Sequence, residues 1–142
     1  MDLKKFVKNQ GLSSFPIGLG GCRTLSYFFD SCDYDLIVFD ETSSNNQIIS
    51  FENNLIKIHH ASLSETNTKK LLQYDKLNIL QDDSWNLKIL LSKISEKCDM
   101  LFSDFAKNSL IESIFCCQKT KDAIQNDDIF APCWQKCASY YL

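Results

Sequence analysis

Leu3, Phe6 and Val7 recur at helical spacing within residues 2–10, and Gly11 follows where a left-handed residue commonly closes a helix. This predicts a short opening helix. Ser13, Ser14 and Pro16 lead into an apolar segment, Phe15 to Leu19, that ends at Gly20-Gly21, and the following CRTLSYFFD has helical potential. Residues 33–39, DYDLIVF, are rich in β-formers and continuously apolar after Asp35, the pattern of a central strand buried on both faces. After the turn-forming stretch Asp40 to Asn46, QIISFE and LIKIHHA flank Asn53-Asn54 and predict a β-hairpin.

Ser62 and Glu65 have the spacing of a capping box ahead of a helix containing Lys69, Leu71 and Leu72. KLNIL then alternates as a short strand. Asp82-Asp83-Ser84 can cap a helix whose apolar positions are Trp85, Leu87, Leu90, Leu91 and Ile94. From about residue 84 onward only helices are expected, over roughly 84–101, 104–125 and 131–142, with breaks near Ser103-Asp104 and at Asn126 to Pro132. The predicted class is α+β: a mixed α/β part over residues 1–83 and a helical subdomain over 84–142. The last helix stops without a cap, as expected of a piece of a longer chain.

Composition narrows the classes. The chain has 142 residues, 44% of them hydrophobic and 23% charged, enough apolar material for a core and too much for a disordered segment. No apolar run approaches the roughly 20 residues that span a bilayer, and MDLKKFVKNQ lacks the apolar region of a secretory signal. A cytoplasmic protein with no membrane partner is expected. The seven cysteines are an odd number and read as reduced thiols rather than a disulfide framework. With a net charge of −3 and interspersed signs, there is no basic stripe for a phosphate backbone.

Two distributions stand out. All four glycines lie within the first 21 residues, and the only arginine is Arg23. Asp33 and Asp35, two apart on a strand, point to the same face, and two adjacent carboxylates are costly unless a cation sits between them. Such oxygen donors suit Mg²⁺, and a glycine pair at a helix start lets backbone N–H groups approach phosphate. Together they would form a nucleoside-triphosphate site; the plainer reading of the aspartates is a polar turn before a buried strand.

Leu19-Gly20-Gly21, an eleven-residue spacer, and Asp33-Tyr34-Asp35 followed by Leu36-Ile37-Val38 resemble the signature of the nucleotidyltransferase superfamily, the fold of DNA polymerase beta and of the small antitoxin-type nucleotidyltransferases. The resemblance implies a mixed sheet with helices, followed here by the helical subdomain. It implies Mg²⁺-dependent transfer of a nucleoside monophosphate from a nucleoside triphosphate to an acceptor hydroxyl, with release of pyrophosphate. Asp33 and Asp35 would hold the metal and carry catalysis, and Gly20 and Gly21 would cradle phosphate. Arg23 would offset triphosphate charge; its alternative is a surface salt bridge to Asp30 or Glu41. The acceptor, whether protein, RNA or small molecule, is not encoded in these residues.

One departure matters. The family's third carboxylate belongs on the strand at Leu55 to Ala61, which holds Lys57, His59 and His60 and no acid. Glu52 and Asp82 would need an unexpected geometry to replace it. The alternative is therefore a degenerate domain, weak or inactive in catalysis, that binds a nucleotide or a protein partner.

Other motifs read more plainly. His59 and His60, adjacent on a strand, point to opposite faces and do not suit one metal. Cys133 and Cys137 share a helix face, and Cys98, Cys116 and Cys117 read as packing. The aromatic stretch Phe130 to Trp134, with Tyr140 and Tyr141, reads as core, as a junction with a further C-terminal domain, or as a homodimer surface.

Overall fold

The computed structural model describes residues 1–42 and 46–141, so residues 43–45 of the expected turn and the last residue of the expected final helix lie outside the described part. The protein is α+β. Helix α1 (Leu3–Asn9) starts where the Asp2 side chain accepts a hydrogen bond from the Lys5 N–H at 3.1 Å. Just past its end, Gly11 takes the expected left-handed conformation, φ +68°. Strand β1 (Ile17–Gly20) runs into a single 3-10 turn over Gly21–Thr24. The helix expected over CRTLSYFFD goes no further than this turn. Tyr27 and Phe29 point into solvent, about three-quarters exposed, so no apolar face is buried to sustain it.

Strands β2 (Tyr34–Phe39), β3 (Gln47–Phe51) and β4 (Asn54–Ala61) follow, then α2 (Thr68–Tyr74), β5 (Asn78–Gln81) and α3 (Asn86–Glu96). The sheet order is β3-β4-β2-β1-β5. Strand β2 is thus central, as its apolar run predicts, parallel to β4 and antiparallel to β1. The β3–β4 hairpin turns on Glu52-Asn53, one residue earlier than expected. Phe51 pairs with Asn54, and Glu52 and Asn53 take φ +47° and +60°, the double positive φ of a type I′ turn.

The two faces of the sheet differ. Leu36 and Val38 of β2, Ile17 of β1 and Ile56 and Ile58 of β4 point to one side and close a core with Phe6 and Val7 of α1. Opposite them, Gly20, Asp35 and Lys57 form one cross-strand row, and Gly18, Ile37 and His59 the next. At the far end of this second face Phe39 packs edge-on against Tyr74 of α2, with ring centroids 5.4 Å apart.

Local capping differs from expectation. No capping box forms: Asn67 caps α2 by accepting from the Lys70 N–H, Glu65 accepts from the N–H groups of Thr66 and Asn67, and the Ser62 hydroxyl donates to Glu41. Ser62 lies five residues before Asn67 and is engaged by Glu41 and Ser64, so the helix is capped later, at Asn67. Trp85 precedes α3 in a left-handed conformation, φ +64°, and Asp82 accepts from the Lys88 N–H.

Two compact units make up the chain, residues 1–98 and 99–142, so α3 belongs to the first unit, past the boundary at 83 read from sequence. Helix α4 (Cys98–Gln125) begins directly after Lys97. The expected break at Ser103-Asp104 does not occur, because a serine and an aspartate in mid-helix are tolerated when their side chains stay exposed. Helix α5 (Ala131–Tyr140) follows a short loop, and within the second unit the buried Ser113 hydroxyl of α4 donates to the Ala138 carbonyl of α5 at 3.1 Å. Phe130 and Tyr140 are mostly exposed, which sets aside core packing for these two rings. No helix among the described residues is long and apolar enough to cross a membrane.

Candidate functional site

The second sheet face brings the sequence-selected residues together at one end. Gly20, the last residue of β1, is the register partner of Asp35, and Asp35 is the register partner of Lys57. Gly21 takes φ +71°, and a Cβ built on it would run into the Asp35 carboxylate. The backbone conformation favours glycine there, and any side chain would also push the Asp35 carboxylate aside. The glycine pair and the second aspartate are therefore one packed unit rather than two separate motifs.

Asp33 sits just ahead of β2. Its Oδ2 lies 2.6 Å from the Lys57 Nζ, and the Asp35 Oδ1 lies 3.7 Å from the His59 Nε2. On the neighbouring parallel strand the Asp33 carboxylate meets the Lys57 ammonium, and the Asp35 carboxylate faces the His59 imidazole. Hydrogen bonding and charge from Asp33, aided by Asp35, raise the pKa of Lys57 above its ordinary value, so the ammonium stays charged. All four side chains keep roughly a third of their surface in water.

Lys57 thus stands where the resemblance expects the third acid, and neither alternative acid reaches the site. Glu52 lies 3.8 Å from Lys5 of α1, the helix covering the opposite face. Asp82 follows β5 at the end of the sheet where Ile17 pairs with Gln81, away from Asp35. Near it, a cleft of about 450 Å³ between α1 and β5 is lined by Lys4, Gln81 and Asp82 and does not include the aspartate pair. Among the described residues no three His, Cys, Asp or Glu side chains converge as a metal site. A carboxylate pair in which Asp33 is already held by an ammonium does not fit a pair of divalent ions, since lysine offers only donors.

Arg23 is engaged by its own loop. Its Nε donates to the Cys32 carbonyl at 3.0 Å, and its Nη2 donates to the carbonyls of Cys32 at 2.8 Å and Asp30 at 3.0 Å. The guanidinium also lies over the rings of Tyr34, 4.3 Å from the centroid, and Phe28, 4.7 Å. It ties the segment between the glycine pair and Asp33 through backbone carbonyls and rings. The thiols at the two ends of this segment are also close. A hydrogen bond with Cys32 is the largest cause raising the pKa of Cys22, followed by burial and the nearby Cys32 and Asp35 charges.

Compared with protein-family models and with curated proteins, the chain matches none. The site therefore has to be read from its own geometry.

His59 and His60 point to opposite faces, as expected of neighbours on a strand. His60 is buried on the core side, where its Nδ1 lies 2.8 Å from Asp40 Oδ2, and its Nε2 has no hydrogen-bond partner. The Thr42 hydroxyl bridges the pair, 2.9 Å from Asp40 and 3.3 Å from His60. Burial raises the Asp40 pKa, but the hydrogen bonds from His60 and Thr42 outweigh it and hold the carboxyl below its ordinary range. All seven cysteines are free thiols.

The aspartates and glycines are legible in the sequence, whereas the contacts of Lys57 with Asp33 and of His59 with Asp35 appear only in the structure. The available signal was the absence of an acid between Leu55 and Ala61 together with Lys57 and His59 at alternate positions of the strand.

Proposed function

We propose that this chain is a degenerate nucleotidyltransferase-like domain that binds a nucleotide at the Gly20-Gly21 turn and the Asp33–Asp35 pair and is weak or inactive in nucleotidyl transfer. The observation carrying this reading is the register of Lys57 opposite Asp35, with its ammonium 2.6 Å from Asp33. An acid at that position would help hold a second metal and activate an acceptor hydroxyl. A lysine does neither, but it places a positive charge beside the turn where phosphate would lie.

Support for the nucleotide comes from the glycine pair. Gly21 is held left-handed against Asp35, an arrangement that a polar turn before a strand does not require. In the α+β sheet, with β1 antiparallel and β4 parallel to β2, Gly20, Asp35 and Lys57 share one cross-strand row, and Asp33 just ahead of β2 reaches the Lys57 ammonium.

The reading is tested by titrating ATP, GTP, CTP and UTP into the chain, with Mg²⁺ and with EDTA, while following backbone amide resonances. Saturable shifts centred on Gly20, Gly21, Asp35 and Lys57 are expected for at least one nucleotide, with no pyrophosphate release above background. Absence of binding by the folded chain, or shifts confined to other residues, would overturn the proposal. Steady pyrophosphate release would show that the site cleaves the α–β phosphate bond, with water or the chain itself as acceptor, and would overturn the reading of a weak or inactive site.

A further inference from the structure

We infer that Lys57 is a resident counter-ion that takes the place of a divalent cation at the Asp33–Asp35 pair, so that one substitution at position 57 converts the pair into a divalent-metal site. The inference deepens the proposed function and rests on it only in taking the aspartate pair as the site.

Two carboxylates projecting from one stretch of chain repel each other, and the repulsion is relieved by protonation, by a metal ion or by a fixed cation. Lys57 supplies the third. Its ammonium is 2.6 Å from Asp33, and Asp35 adds to the field that keeps it charged. The position is fixed by backbone register rather than by a flexible loop, because Asp35 and Lys57 are partners in the parallel β2–β4 pairing.

An ammonium and a divalent ion compete for these oxygens. Mg²⁺ and Mn²⁺ need oxygen donors in a near-octahedral shell. Lysine contributes no acceptor, and its charge repels an incoming cation at the oxygen it already holds. Divalent binding must therefore expel Lys57 into solvent, a move open to a side chain that is 39% exposed but opposed by the loss of its ion pair. The surrounding residues do not restore the balance: His59, on the same strand and face, stands against Asp35 and adds no oxygen donor.

Replacing Lys57 by aspartate reverses both effects. The repelling charge disappears, and a third carboxylate enters from β4 beside Asp35. Replacement by glutamine removes the charge while keeping a chain of similar length and adding one carbonyl acceptor. Nucleotide binding by the unaltered chain is correspondingly independent of divalent ions, the local positive charge being supplied by the protein.

The experiment titrates Mn²⁺ alone, without nucleotide, into the full chain and its variants and reads bound ion by electron paramagnetic resonance, with circular dichroism to confirm folding. The unaltered chain is expected to show no saturable site at millimolar Mn²⁺. Lys57→Asp should bind one ion at least roughly tenfold more tightly, as affinity follows the charge count of the ligands. Lys57→Gln should gain less, and adding Asp33→Asn to Lys57→Asp should remove the gain. Saturable Mn²⁺ binding by the unaltered chain as tight as in Lys57→Asp would overturn the inference, as would a folded Lys57→Asp with no gain. If Lys57→Asp fails to fold, Lys57→Gln decides: no gain there overturns the inference. Because nucleotide is absent, a gained ion site in a chain that ignores every nucleoside triphosphate would uphold this inference while refuting nucleotide binding.

Discussion

Gly21 and Asp35 occupy adjoining space so closely that any side chain at position 21 would displace the Asp35 carboxylate, while Gly21 itself sits at φ +71°. Gly11 provides an internal comparison, with φ +68° and nothing within 4 Å of its added Cβ. Gly11→Ala should cost the conformational penalty alone, about 1–2 kcal/mol. Gly21→Ala should cost more, about 2–4 kcal/mol, since the carboxylate must also move. Urea denaturation of both variants measures the difference, and equal costs would show that Asp35 yields freely.

The buried Asp40–His60 pair gives the fold an acid-sensitive element. With its folded pKa depressed, Asp40 contributes stability that is fully present above its unfolded pKa of about 4 and is lost as pH falls through the lower folded value. Asp40→Asn should destabilise the chain by about 1–3 kcal/mol near neutrality, because a charge-assisted buried hydrogen bond is lost. The gap between the two proteins should stay level down to about pH 5 and close below about pH 4. Thermal unfolding across that range checks both the sign and the window.

Arg23 predicts the behaviour of the segment it spans. Arg23→Ala removes three hydrogen bonds to the carbonyls of Asp30 and Cys32. Chymotrypsin cleavage after the exposed Tyr27, Phe28 and Phe29 should then accelerate several-fold as local opening becomes easier. Arg23→Lys should not restore protection, since an ammonium lacks the planar fork that reaches two carbonyls at once. Fragment mapping by mass spectrometry distinguishes this opening from global unfolding.

How far the sequence carried depended on whether a feature is local. The run after Asp35, the hairpin around residue 53 and the helical spacing of α1 each sit within a few residues, and each element forms where its pattern lies. Capping and helix breaks were less legible. Asn67 displaced a plausible Ser62–Glu65 box, and α4 ran through Ser103-Asp104, because several polar side chains compete for the same backbone groups and only packing chooses among them. The helix expected from CRTLSYFFD failed because the chain leaves its rings exposed and ties the segment to Arg23. The Lys57–Asp33 contact depends on the parallel register of strands far apart in sequence, which no local pattern encodes. The missing acid could be read; its replacement by an ion pair could not.

The hairpin offers a stabilising change. Its turn places Glu52 and Asn53 at positive φ, where asparagine followed by glycine is favoured. Glu52→Asn combined with Asn53→Gly should raise stability by about 0.5–1 kcal/mol, the exposed Lys5–Glu52 pair at 3.8 Å being a small loss. An increase in Tm of a few degrees would bear this out, and a decrease would assign Glu52 a larger role against α1.

The cysteines are distributed so that the chain carries its own chemical reporter. Cys117, Cys133 and Cys137 are exposed and all lie in residues 99–142, whereas Cys22 and Cys32 are half-covered and Cys116 is buried. A thiol-reactive dye therefore stains the helical unit first, and later labelling at Cys22 and Cys32, separated from the equally half-covered Cys98 by peptide mapping, reports on the glycine–aspartate end of the sheet without an introduced tag.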